Sequence, residues 1–124
     1  MVIGIEHTAI ASPEPLKLAQ WYVEALGFRI NFTFGQNCFI RAADGSMIEI
    51  ITAEAARAPR ALKDPGFCHL AIAVSDFDGV YARLKALNTH FVSEPVDGNG
   101  IKLVFFTDPE GNYLHLIQRE TPLP

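Results

Sequence analysis

The chain has 124 residues, 49% of them hydrophobic and 19% charged, which suits one domain with a core of its own and no need of staples. A formal net charge of −4 excludes a general nucleic-acid binder, because counterion release needs clustered Lys and Arg. No apolar run approaches the ~20 residues that span a bilayer, and "MVIGIEHTAIA" has no basic stretch ahead of a long apolar one. No membrane association and a cytoplasmic location are therefore expected.

The first element in chain order is a strand, "GIEHTAIA". "SPEPLKLAQWYVEALGF" then predicts a helix with Ser12 as N-cap, prolines confined to the first turn and Gly27 as the stop. Leu16, Ala19, Tyr22, Val23 and Leu26 would form its apolar stripe. Three strands follow, "FRINFTF", "NCFIRAA" and "MIEIIT", the last two joined at Asp44-Gly45, a hairpin signal. "AEAARAPRALKDPG" reads as a connector with a helical turn, and its Arg57, Arg60 and Lys63 as solvated charges.

The second half begins with "GFCHLAIA", which shares Gly, His, Ala, Ile and Ala with the first strand. His7 and His69 match at an offset of 69 − 7 = 62. "SDFDGVYARLKALN" is the second helix, capped by Ser75 or Asp76, with Phe77, Val80, Tyr81, Leu84 and Leu87 buried. "HFVSEPV", "KLVFFTD" and "YLHLIQ" are the matching strands, with "DGNG" and "PEGN" as turns. Aligning Gly45 with Gly111 sets Glu49 opposite His115, an offset of 115 − 49 = 66. The chain is thus an α+β domain over 1–124, built of two βαβββ modules (1–53 and 66–120) and a linker (54–65). One module has too little core to stand alone, and two can share one. Cys38 and Cys68 both fall in strand-like runs. They are expected to be buried free thiols in a reducing compartment, with a single disulfide as the alternative.

Alternation along the strands separates two faces. Leu70, Ile72 and Val74 face the helix, while Phe67, His69, Ala71 and Ala73 face away. His7 with Ala9, Glu49 with Met47 and Ile51, and His115 with Tyr113 and Ile117 also face away. Taken alone, each histidine is an ordinary hydrogen-bonded strand residue. Inward-facing Glu49 asks for a cation. Together, at repeat-equivalent places, His7, Glu49, His69 and His115 read as the ligands of one divalent metal. His90 lacks a counterpart and reads as a surface residue. Phe32, Phe34, Phe39, Phe105 and Phe106 point to an aromatic lining, of which alternation lets only some face the site.

The paired modules, the strand-one histidines, the acidic residue in a last strand and "DPEGNYLHLIQ" resemble the vicinal oxygen chelate superfamily, which includes glyoxalase I, extradiol dioxygenases and bleomycin-resistance proteins. The resemblance covers about Ile3 to Gln118. It implies an open, barrel-like mixed-sheet cup with helices outside, and a divalent ion (Zn, Ni, Co, Fe or Mn) on His7, Glu49, His69 and His115. It also implies a small-molecule substrate chelated through vicinal oxygens, a homodimer, and lyase or isomerase chemistry with Glu49 as base. Two departures stand out. His115 replaces the glutamate of the glyoxalase pattern, and could act as acid or base if it titrates near neutrality and is unbound. Ala11 stands about where glyoxalase I carries an arginine for glutathione, leaving Arg29 and Arg41 as untried substitutes. The alternatives are an Fe(II) extradiol-type dioxygenase using His7, His69 and Glu49, and a metal-free binding protein of the bleomycin-resistance type.

Overall fold

A computed structural model describes all 124 residues. The elements run β1 (His7–Ser12), α1 (Pro15–Leu26), β2 (Arg29–Phe34), β3 (Asn37–Arg41), β4 (Met47–Thr52), β5 (Leu70–Ala73), α2 (Phe77–Ala86), β6 (Val96–Gly98), β7 (Ile101–Thr107) and β8 (Tyr113–Arg119). They fall into two compact units, Met1–Ala58 and Pro59–Pro124. Each holds one helix and one four-stranded mixed sheet, ordered β1-β4-β3-β2 in the first and β5-β8-β7-β6 in the second. The α+β class and the two βαβββ modules are as the internal repeat predicts. Each sheet is open and is not closed into a barrel.

In the first module, α1 covers the face carrying Ile40, Ile48 and Ile50, all at most 5% exposed. Its buried residues are Pro15, Leu18, Ala19, Tyr22 and Ala25, so the stripe is turned from the expected one and Leu16 lies on the open side. The helix also starts later than expected. Glu14 takes the cap position without a side-chain cap bond. Buried Ser12 instead accepts the Glu14 N–H on its Oγ at 3.0 Å, tightening the turn ahead of the two prolines. Gly27, with φ of 75°, closes the helix in the left-handed conformation.

A bulge shapes β2. Ile30 pairs with Ile40 and Phe32 with Phe39, so Asn31 is an extra residue and the strand changes parity there. Arg29 therefore shares a face with Phe32 and Phe34. The face away from α1 carries two rows across the sheet: His7, Met47, Arg41 and Arg29, then Ala9, Glu49, Phe39 and Phe32.

The second module repeats the plan. Asp76 caps α2, its Oδ1 accepting the Gly79 N–H at 3.1 Å, and Phe77 and Leu84 are its buried residues. Leu114, Leu116, Val104 and Phe106 form the buried side of the sheet, which assigns Phe106 to the core and leaves Phe105 on the other face, paired with His115. The expected strand over 90–96 is reduced to a bridge between Phe91 and Phe106 and the three residues of β6. Pro95 has no N–H to give the ladder, and Ser93 Oγ takes the Phe105 N–H at 3.2 Å. Asn99 and Gly100, both at positive φ, make the tight turn from β6 to β7.

The connector contains one turn, Asp64 N–H to Ala61 O at 3.1 Å. Arg60 is not simply solvated. It donates to Phe67 O at 2.7 Å and lies 5.7 Å from the Tyr113 ring centroid, while Tyr113 Oη donates to its carbonyl. Both cysteines are free thiols, Cys38 buried and Cys68 partly exposed. No helix is long and apolar enough to cross a membrane.

Candidate metal-ligand pairs and their setting

Parallel pairing places the candidate ligands. In the first module Ala9 pairs with Glu49, and in the second Ala71 pairs with His115. Each histidine stands two residues before its alanine, on the same face. The imidazole of strand one and the side chain of the last strand therefore converge over a methyl group too small to separate them. His7 Nε2 lies 3.6 Å from Glu49 Oε1. The His69 and His115 ring centroids are 4.2 Å apart. Each module thus assembles one pair, and neither gathers a group of three His, Cys, Asp or Glu by itself.

The outer nitrogen of each strand-one histidine is engaged by the preceding residue. His7 Nδ1 donates to Glu6 Oε1 at 3.0 Å, and His69 Nδ1 lies 3.2 Å from Cys68 Sγ. Glu6 and Cys68 are themselves repeat-equivalent, a support that a search for ligand types alone passes over. The His7 ring thus stands between two carboxylates, Glu6 at Nδ1 and Glu49 3.6 Å from Nε2, an arrangement that a cation at Nε2 would satisfy. Phenylalanines steady both imidazoles from the side. Phe39 meets His7 and Phe105 meets His69 edge-on, each at 5.2 Å between centroids, and these two phenylalanines are also repeat-equivalent.

His115 differs from the others. It is buried, packed between His69 and Phe105 at 4.2 and 4.9 Å, and its Nδ1 is buried with no hydrogen-bond partner. Desolvation, then the nearby His69 and Arg119, lower its pKa to about 4. It is a neutral imidazole at neutral pH, so the condition for it to serve as an acid or base near pH 7 is not met. A neutral ring with an orphaned buried nitrogen does suit a metal.

The turn ahead of β8 fixes where His115 falls. Asp108 is 3% exposed and accepts the N–H groups of Glu110 and Asn112 at 2.9 and 3.0 Å, and Asn112 Nδ2 at 2.7 Å. Gly111, at φ of 87°, lets the chain close there. The Asp-Pro-x-Gly-Asn signature thus does structural work rather than chemistry. His90 is exposed and uses only its carbonyl, which accepts the Thr107 N–H.

The model of the Glyoxalase/Bleomycin resistance protein/Dioxygenase superfamily matches residues 4–116. The chain belongs to this superfamily. Solved structures of similar fold include Oxidase ChaP-H2, 21% identical over 96% of this chain and 95% of that one, with a TM-score of 0.78. The fosfomycin resistance protein FosX from Listeria monocytogenes is 17% identical over 95% and 94%, at 0.74. A glyoxylase/bleomycin resistance protein/dioxygenase domain from Frankia sp. EAN1pec is 16% identical over 99% and 96%, at 0.79. At these identities the superfamily neighbours share the fold. Their differing names show that the superfamily scaffold serves more than one activity.

Proposed function

We propose that the protein is a divalent-metal-dependent, glyoxalase-like lyase or isomerase whose ion is held by His7, Glu49, His69 and His115. The observation that carries this reading is the matched pairs: each module brings a strand-one histidine against a last-strand carboxylate or imidazole. The orphaned His115 Nδ1 and the engaged His7 Nδ1 fit the same role. Three neutral imidazoles and one carboxylate suit Zn, Ni, Co, Fe or Mn. Such an ion would draw charge from two neighbouring substrate oxygens and acidify an adjacent C–H.

The chain's own groups would do the rest. Glu49 takes the substrate proton on a carboxylate oxygen, with His7 Nε2 beside it. His115 holds its position without titrating, and Phe39 and Phe105 keep water from one side of the imidazoles. The working form would be a homodimer acting on a small molecule, with the two pairs supplied by one chain or by two. Free Cys38 and Cys68 accord with a reducing, cytoplasmic setting.

Metal titration followed by elemental analysis tests this reading. One divalent ion per pair-of-pairs, lost in His69→Ala and Glu49→Ala, is expected; no stoichiometric ion in the unaltered protein overturns it. A second reading uses His7, His69 and Glu49 to hold Fe(II) for dioxygen chemistry, as the dioxygenase part of the family description and the oxidase neighbour allow. Oxygen uptake by the Fe(II)-loaded protein with a catechol separates the two. A metal-free binding role is disfavoured because all four donors are present.

A further inference from the structure

The first module carries charge that its own fold does not use. Arg29 and Arg41 are direct cross-strand partners, on the face away from α1, in the same row as His7 and Met47. Like charges set opposite each other on a sheet repel. Neither guanidinium has a carboxylate partner, although the chain holds more acidic than basic residues. Asp44, close in sequence, is occupied by the N–H and Oγ of Ser46 at 2.9 and 2.6 Å. Glu49, on the same face, lies against His7, 3.6 Å from its Nε2. The Arg41 guanidinium rests against the Gly45 turn, its Nη2 3.2 Å from where a Cβ would stand, so that a side chain there would crowd it.

Beside the arginines lies an apolar platform. Phe32, Phe34 and Phe39 touch one another at 5.0–5.9 Å between centroids, with interplanar angles of 24°, 35° and 38°. Phe32 is 51% and Phe34 39% exposed. Nearly aligned rings present one broad apolar surface rather than an interlocked core. The second module has neither feature. At the place of Arg41 stands Thr107, at that of Arg29 stands His90, and β6 offers only Val96, Asp97 and Gly98. The scaffold therefore does not require them.

We propose that Arg29 and Arg41 form an anion subsite, and that Phe32, Phe34 and Phe39 carry the ring of the same ligand, an aromatic carboxylate. Two guanidiniums match the two oxygens of a carboxylate as planar forks. Adjacent strands lie ~4.8 Å apart, so Arg41 stands two strands, roughly 10 Å, from His7. A ligand anchored at the arginines would lie across the platform toward the His7–Glu49 pair. This deepens the proposed function by naming its substrate class, and takes from it only the face on which the substrate lies.

The test uses chelator-treated protein, so that metal plays no part. Titration with 2-naphthoate and with uncharged 2-naphthamide is followed by calorimetry and by NMR of the Arg and Phe side chains. Naphthoate is expected to bind about tenfold tighter or better, with a preference that shrinks in salt and vanishes in Arg29→Gln/Arg41→Gln. Phe32→Ala should weaken both ligands alike. Equal binding of the two, saturation by neither, or a preference that survives the double substitution overturns the proposal. Should the double variant fail to fold, the salt dependence and the arginine Nε–H shifts in the unaltered protein decide the matter. Failure of the metal titration leaves this result untouched, and failure here leaves the metal titration untouched.

Discussion

Replacing His115 by leucine should make the protein more stable without metal and less stable with it. The buried Nδ1 without a partner costs about 1–3 kcal/mol in desolvation. Leucine removes that cost, at a packing misfit of under about 1.5 kcal/mol against His69 and Phe105. A net gain of about 1 kcal/mol is expected in chelator. With free metal at a hundred times its dissociation constant, the unaltered protein gains about 2.7 kcal/mol and the variant nothing, so the order reverses.

Acid adds a second signature of the same residue. The folded pKa of His115 is about 4, against an ordinary histidine value of 6.5. Between those pH values the unfolded chain binds more protons, so stability rises with pH across the window. The contribution is fully present above pH 6.5 and is lost as pH falls toward 4. A shift of that size corresponds to about 3 kcal/mol, which solvent screening reduces to about 1–2 kcal/mol. Urea unfolding at pH 7.5 and pH 5, with chelator or with Zn, Mn, Co or Ni, measures all of this. A variant less stable than the parent in chelator, or one with the same metal and pH response, would refute the reasoning.

Glu49→Gln should weaken metal binding at least about tenfold and abolish proton abstraction, as read by calorimetry and by solvent-deuterium exchange of substrate. Asp108→Ala removes the acceptor of three bonds and should cost about 2–3 kcal/mol in urea unfolding, far more than a surface change. At the start of α2, Asp76→Ala should cost about 1 kcal/mol. Gly79→Ala would drive a Cβ into the Asp76 carboxylate and should destabilise the parent. In the Asp76→Ala background the same change should stabilise by up to about 1 kcal/mol, because alanine is then free to act as the better helix former. Thermal melts of the four proteins test that reversal of sign.

Much of this was legible in the sequence because both modules obey simple periods. Alternation sorted His7, Glu49, His69 and His115 from Ile48, Ile50, Leu114 and Leu116, and the burial of the isoleucines and leucines follows it. Aligning the turn glycines Gly45 and Gly111 matched Glu49 to His115, and the structure pairs these two with the equivalent alanines, Ala9 and Ala71. Phe106, offered as lining, packs in the core, while the Asn31 bulge in β2 keeps Phe32 and Phe34 on the face of Phe39. Other errors arose where one residue breaks a period. Pro95 interrupts the strand expected over 90–96. At Ser12, a residue type right for a cap is spent on the Glu14 N–H two residues on, and the helix begins at Pro15.

Comparing the modules separates what the fold needs from what chemistry needs. Some positions agree in both: the strand-one histidine, the residue before it that engages Nδ1, the alanine two places on, and the phenylalanine edge-on to the imidazole. Agreement in two copies that fold alike is what a shared requirement for aiming an imidazole would produce. Other positions differ: Glu49 against His115 and Arg41 against Thr107 within the same backbone pairing, and Arg29 in β2 against His90, which bonds Thr107 through its carbonyl alone. The fold tolerates either residue at each of these places, so its stability does not explain the choice. A carboxylate able to take a proton, and two cations with no internal partner, all lie on the first module's face. Under the proposed function, that concentration would put the handling of substrate on the first module. The second module's distinguishing residue, a buried imidazole that does not titrate near neutrality, is fit to hold an ion and little else.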